Sequence, residues 1–152
     1  MMTTPVALRP ATIADKSAIN ALLIGSGLPV DGVAEALGGF LVAESQGAII
    51  GTVGMEYCGE YGLLRSTAVA PEWRGHGVAR KLVERIVAEA ERRGIRALYL
   101  LTTTAETYFP SFGFTTTTRE AVPVEIQRTL EFQEACPASA TVMCCPLGAS
   151  RA

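Results

Sequence analysis

The 152-residue chain has one histidine, His76, one tryptophan, Trp73, and only four cysteines. A single histidine argues against a histidine-based zinc centre. The cysteines, Cys58, Cys136, Cys144 and Cys145, show no CxxC spacing, and the adjacent pair would point to opposite faces of a strand. Reduced thiols in a cytoplasmic protein, with no metal, are the expectation. No apolar run approaches the ~20 residues of a membrane helix. The opening Met1-Met2-Thr3-Thr4-Pro5 lacks the basic and apolar regions of a signal peptide. Neither sign of charge dominates: 13 basic and 15 acidic residues give a net charge of −2 and a pI near 5.5. Such a surface has no general attraction for nucleic acid or anionic lipid, and a small-molecule ligand is expected instead. Two phosphate-binding patterns, GxGxxG and Gly-Lys-Ser/Thr, are also missing.

What is present is core material. Hydrophobic residues make up 49% and charged residues 18% of the chain. There is no repeat, low-complexity linker or composition break, so residues 1–152 read as one domain, with 1–5 and 148–152 as flexible tails. Strands are expected at 6–9, 40–44, 48–57, 63–69, 97–103, 114–118 and 140–145. Thr12 precedes a helical pattern in which Asp15 forms an imperfect capping box and Ile13, Ile19, Leu22 and Leu23 form the apolar face. The clearest helix carries Val78, Leu82, Val83, Ile86, Val87 and Ala90 at helical spacing, with Gly94 as its terminator. Shorter helical stretches are expected at 33–37, 105–112 and 123–134. The order is α/β of the mixed kind, with a largely antiparallel first half rather than strict alternation.

The informative segment is Val69-Ala70-Pro71-Glu72-Trp73-Arg74-Gly75-His76-Gly77-Val78-Ala79. A strand ends, a turn with two glycines follows, and a strong helix opens at once. The first N–H groups of a helix lack intrahelical partners and lie at the positive end of its dipole. Glycines let that backbone curl around an anion, and Arg74 can add a forked, charged contact. The combination reads as a phosphate or pyrophosphate seat.

Arg74-Gly75-His76-Gly77-Val78-Ala79 resembles the Q/R-x-x-G-x-G/A signature of the GNAT superfamily of N-acetyltransferases. Phe112-Gly113-Phe114 falls where those chains carry a recurring Gly-Phe. The resemblance implies a mixed, largely antiparallel twisted sheet, splayed at its central strands, with helices on both faces. It implies acetyl-CoA as donor, its pyrophosphate on Arg74, Gly75, His76, Gly77, Val78 and Ala79. The pantetheine arm would pair with the backbone of Thr67 and Val69, and the Val69 N–H would meet the developing oxyanion. His76 is then a loop residue, far from the acetyl group. Homodimers are common in the superfamily, and the C-terminal strand is a candidate interface.

Acetyl transfer needs a neutral amine, so a base must take a proton from the acceptor. Glu56 is the preferred carboxylate, with Glu60 as alternate. Many GNAT enzymes place a tyrosine four residues before the Gly of Gly-Phe to protonate the sulfur. Here that position is Phe109, and neighbouring Tyr108 is either the substitute acid or core packing. Thr104-Ala105-Glu106-Thr107-Tyr108-Phe109 is similar to the amino-acid N-acetyltransferase branch. Leu63-Leu64-Arg65-Ser66 and the tail (Arg119-Glu120-Ala121-Val122-Pro123, Thr129-Leu130-Glu131-Phe132, Cys136-Pro137-Ala138-Ser139-Ala140) are similar to small GNAT proteins of bacterial arsenic-resistance operons. That resemblance implies an amino-acid-like acceptor, including arsenic- or phosphorus-containing glutamate analogues. Arg65, on its strand with Leu64 and Ser66 turned to the opposite face, either binds the acceptor's carboxylate or pairs internally with Glu56. Arg119 and Arg128 are further candidates for that carboxylate. Two other readings are a thiol protein that holds trivalent arsenic through Cys136 with Cys144 or Cys145, and an acetyl-CoA sensor without turnover.

Overall fold

The structure is a computed structural model that describes residues 5–103, 108–129, 132 and 140–147. The expected extended segments become seven strands: β1 (Ala7–Pro10), β2 (Phe40–Ser45), β3 (Ala48–Cys58), β4 (Tyr61–Val69), β5 (Ala97–Thr102), β6 (Thr115–Thr117) and β7 (Thr141–Pro146). Helical spacing becomes α1 (Lys16–Gly25), α2 (Val33–Ala36), α3 (Val78–Arg92) and α4 (Val124–Gln127). The sheet order is β1-β2-β3-β4-β5-β7-β6. β4 and β5 run parallel, whereas β1–β2, β2–β3, β5–β7 and β6–β7 are antiparallel. The chain divides into two compact units, Met1–Met55 with Ser66–Ile86 and Glu56–Arg65 with Val87–Ala152. Among the described residues no helix is long and apolar enough to cross a membrane.

In the first unit, Ile19 and Leu23 of α1 pack with Val33, Phe40, Val42 and Ala68. α1 ends in a Schellman motif: Leu28 N–H reaches the Leu23 carbonyl (2.9 Å), Gly27 N–H reaches Ile24 (3.1 Å), and Gly27 supplies the positive φ. Ile13 departs from its expected place in the core and is 75% exposed, because residues Ile13–Asp15 form a tight 3-10 turn before α1 begins. Asp15 is the buried member of that turn. It accepts from Thr12 N–H (2.8 Å) and from both terminal nitrogens of Arg9 (2.8 and 3.0 Å), while Arg9 Nε reaches Glu44 (2.8 Å). Gly51 brings α3 close: a Cβ there would sit 3.0 Å from Val78 Cγ1 and 3.2 Å from Leu82 Cδ1.

In the second unit, Leu63, Ala97, Tyr99, Val122, Ile126, Phe132 and Val142 form the core. α3 ends as its glycine foretells, with Ile95 N–H on the Ala90 carbonyl (3.1 Å) and Gly94 N–H on Glu91 (3.0 Å). Of the helix expected over 123–134, the described residues place α4 at Val124–Gln127, a turn at Arg128 and Thr129 and a π-helical Phe132, while 130, 131, 133 and 134 lie outside the described residues. Just beyond α4, the Thr129 hydroxyl donates to the Ile126 carbonyl (2.8 Å) and accepts from Phe132 N–H (3.2 Å). The expected helix at 105–112 falls partly outside the described residues, and its described end, Phe109–Phe112, is a 3-10 turn.

Candidate functional site

The candidate anion seat lies within the first unit. β4 ends at Val69, and Ala70 N–H donates to the Ile50 carbonyl (2.8 Å). A short turn over Pro71–Trp73 follows, closed by Trp73 N–H on the Ala70 carbonyl (2.9 Å). Gly75 (φ +82°) and Gly77 (φ +80°) then carry the chain into α3 through left-handed backbone. A Cβ added at either would meet nothing within 4 Å. Conformation, not crowding by the protein, is therefore what asks for glycine there. The Gly77 carbonyl accepts the Lys81 N–H (3.1 Å) as the first bond of α3. The N–H groups of Val78 and Ala79 precede any intrahelical partner. Donors without a helical partner at the positive end of a four-turn helix, beside open space over two exposed glycines, fit a pyrophosphate.

Two side chains in this loop have definite partners. Arg74 Nε donates to the Val69 carbonyl (3.1 Å), and its Nη2 lies 3.5 Å from Ser26 Oγ at the end of α1. His76 is exposed, with Nδ1 3.1 Å from the Arg74 carbonyl and its ring edge-on to Trp73 at 5.8 Å. Thr67 is half-buried and Val69 buried. Ser66 has φ +61°, so the strict alternation expected around Arg65 breaks at this residue, and Leu64, Arg65 and Ser66 are all buried. A left-handed residue inside a strand bends it and re-aims its neighbours.

The candidate acid–base and acceptor residues belong to the second unit. Arg65 Nη1 donates to Glu56 Oε2 across 2.6 Å, so the internal pair forms. The Arg65 side chain is 0% exposed and that of Glu56 16%. Burial, with the negative charges of Glu56 and Glu125 nearby, pushes the Cys58 thiol up to about 11. Glu60 sits in the turn after β3, exposed and paired with Arg96 (3.2 Å). Tyr108 lies edge-on to Phe109 (5.2 Å) and Phe112 (5.3 Å), and Phe109 is the buried ring of that group. The Arg119 guanidinium stands 5.1 Å from the centre of the Phe132 ring, and Arg128 is exposed just after α4. Register sets Cys144 opposite Tyr99 and Cys145 opposite Leu98. Cys144 packs against the apolar core, while Cys145 Sγ donates to the Phe112 carbonyl (3.7 Å). Cys136 lies outside the described residues, among which no three His, Cys, Asp or Glu side chains gather as a metal site.

A family model described as acetyltransferase (GNAT) domain matches residues 36–116, a span that runs from α2 through β6 and contains the whole anion seat. The chain belongs to the GNAT family of acetyltransferases. It is 30% identical over 129 residues to an uncharacterized N-acetyltransferase of Chlorobaculum tepidum, covering 80% of this chain and 83% of the relative. An amino-acid acetyltransferase of Aeromonas salmonicida is 34% identical over 96 residues, covering 62% of this chain. This GNAT chain spans only 22% of that relative's length. The fold is similar to that of N-acetylglutamate synthase from Neisseria gonorrhoeae complexed with coenzyme A and N-acetyl-glutamate. That likeness has a TM-score of 0.81 at 20% identity, over 96% of this chain and 36% of the other.

The sequence marks the glycine loop but not the contacts made around it. Ser26 reads in the sequence only as part of a glycine-flanked helix stop, and no local pattern couples it to a residue 48 positions away. The left-handed backbone of Ser66 likewise has no signal, since serine is an ordinary strand residue by type.

Proposed function

We propose that this GNAT protein is an acetyl-CoA-dependent N-acetyltransferase acting on the α-amine of a small amino acid or amino-acid analogue. The observation that carries the reading is the open glycine loop between β4 and α3, where unpartnered N–H groups meet the helix dipole. Gly75, His76, Gly77, Val78 and Ala79 would hold the pyrophosphate, and the β4 backbone at Thr67 and Val69 the pantetheine arm. Acetyl-CoA, when bound, supplies the acetyl group as a thioester.

Glu56 would accept the proton that the acceptor's ammonium must lose before its nitrogen can attack. The Val69 N–H would donate to the carbonyl oxygen as charge develops on it. As the new C–N bond forms and the C–S bond breaks, Tyr108 would return a proton to the sulfur. Of the two arginines assigned to the acceptor's carboxylate, Arg119 has the more accessible guanidinium, whereas Arg65 is buried behind Glu56. The amino-acid class is supported by the amino-acid acetyltransferase relatives and by the N-acetyl-glutamate held by the structural neighbour.

The test is an incubation with acetyl-CoA and a panel of amino acids, following thiol release and confirming the product by mass. The panel includes arsenic- and phosphorus-containing glutamate analogues, the acceptors implied by the C-terminal resemblance. Acetylation of one member at its α-amine is the expected result. Tight coenzyme A binding without turnover on any member would overturn the acceptor class. Failure to bind coenzyme A would overturn the anion seat.

A further inference from the structure

We propose that Arg74 serves this site as a positioning residue that locks the Val69–Ala70 peptide, through its hydrogen-bond donors rather than through its charge. The inference rests on the acetyltransferase reading above only in the use it assigns to Val69. The peptide between Val69 and Ala70 has two polar ends, and both are held. Its N–H donates to the Ile50 carbonyl of β3 (2.8 Å), and its C=O accepts from Arg74 Nε (3.1 Å). A peptide plane bonded at both ends cannot rotate without losing a bond, which sets the backbone at the last residue of β4.

The second arm of the guanidinium lies against Ser26 Oγ (3.5 Å), and Ser26 is itself fixed, its N–H bonded to the Leu22 and Leu23 carbonyls of α1 (3.1 Å each). A planar guanidinium is suited to this, because Nε and Nη2 donate in fixed and different directions. The turn over Pro71–Trp73 returns Arg74 to the strand end that it bonds. Two of its three nitrogens are thus engaged with the protein's own oxygens. The loop's anion seat is left to the backbone N–H groups of α3, and Arg74 preserves the strand end to which the acyl donor would be presented.

Three variants separate donor from charge: R74Q keeps amide donors without charge, R74K keeps charge without a planar fork, and R74M keeps neither. The readouts are coenzyme A affinity by calorimetry and hydrogen exchange at the Ala70 amide in the ligand-free protein, with thermal melts to confirm folding. R74M is expected to weaken coenzyme A about tenfold, the size of a lost hydrogen bond to a charged donor, and to speed exchange at Ala70. R74Q is expected to recover most of both, and R74K less than R74Q. Retained affinity in R74K with R74Q as weak as R74M would identify a charge contact to phosphate and overturn the proposal. So would R74M with unchanged affinity and exchange. If the wild-type protein binds no coenzyme A, the acetyltransferase reading falls by itself. Exchange at Ala70 then still decides on Arg74: faster in R74M than in R74Q supports the lock, and equal rates refute it.

Discussion

Arg65 and Glu56 meet at 2.6 Å, with the arginine side chain wholly withdrawn from solvent and the glutamate side chain 16% exposed. The pair therefore has an inner cation and an outer carboxylate. Glu56→Gln keeps the shape and removes the proposed proton acceptor. It is expected to lower kcat roughly a hundredfold or more, the scale of general-base catalysis, with little change in acceptor KM. Arg65→Ala strips the partner from a carboxylate held at the edge of the core and should cost about 3–5 kcal/mol of stability. Steady-state kinetics with the acetylated acceptor and urea unfolding check the two effects separately.

Gly54 faces Phe40 across the β2–β3 ladder, and a Cβ there would lie 2.4 Å from Phe40 Cζ. The ring is buried and cannot swing outward. Gly54→Ala should therefore destabilise by about 1–3 kcal/mol, as overpacking does. Phe40→Leu in the same chain should recover part of the loss, so thermal melts of the two single variants and the double variant should be non-additive.

Asp15 predicts an acid-sensitive contribution to stability. The hydrogen bonds from Arg9 hold its carboxyl at about 2, below the ordinary 3.8. Between those values the unfolded chain binds the proton more readily than the native one, so stability falls as pH falls. The contribution is complete above roughly pH 5 and gone by about pH 1. Asp15→Asn should be less stable than wild type at neutral pH and lose less on acidification. Unfolding midpoints across that range test it.

Gly75 and Gly77 predict a cofactor phenotype of conformational origin. Alanine at either position finds open space but could keep φ near +80° only at a cost of about 1–2 kcal/mol. The loop would relax to negative φ and turn its N–H groups away from one another. G75A and G77A should each weaken coenzyme A in calorimetry while leaving the thermal midpoint close to wild type.

Local chemistry made much of this protein legible. The glycines at 27 and 94 terminate α1 and α3 as their lack of a Cβ allows, and apolar or β-branched runs bounded by turn residues mark the strands to within a residue or two. The turn from Val69 to Ala79 is legible because its signal is local: strand end, two glycines, then a helix start. One local pattern misleads: the Ile13–Asp15 turn puts Ile13 into solvent although its spacing matches the apolar face, because a 3-10 turn does not keep the phase of the helix that follows.

The sequence by itself determined the GNAT order of elements and the glycine loop, since both depend on backbone conformation encoded over a few residues. Tertiary structure alone decided that Arg65 closes on Glu56 and that Arg74 bonds Val69 and reaches Ser26. It also decided that Ser66 takes a left-handed φ inside β4. The partner of a charged side chain is chosen by what folding brings within about 3 Å of it, and nothing in the spacing of residues along a chain records that choice.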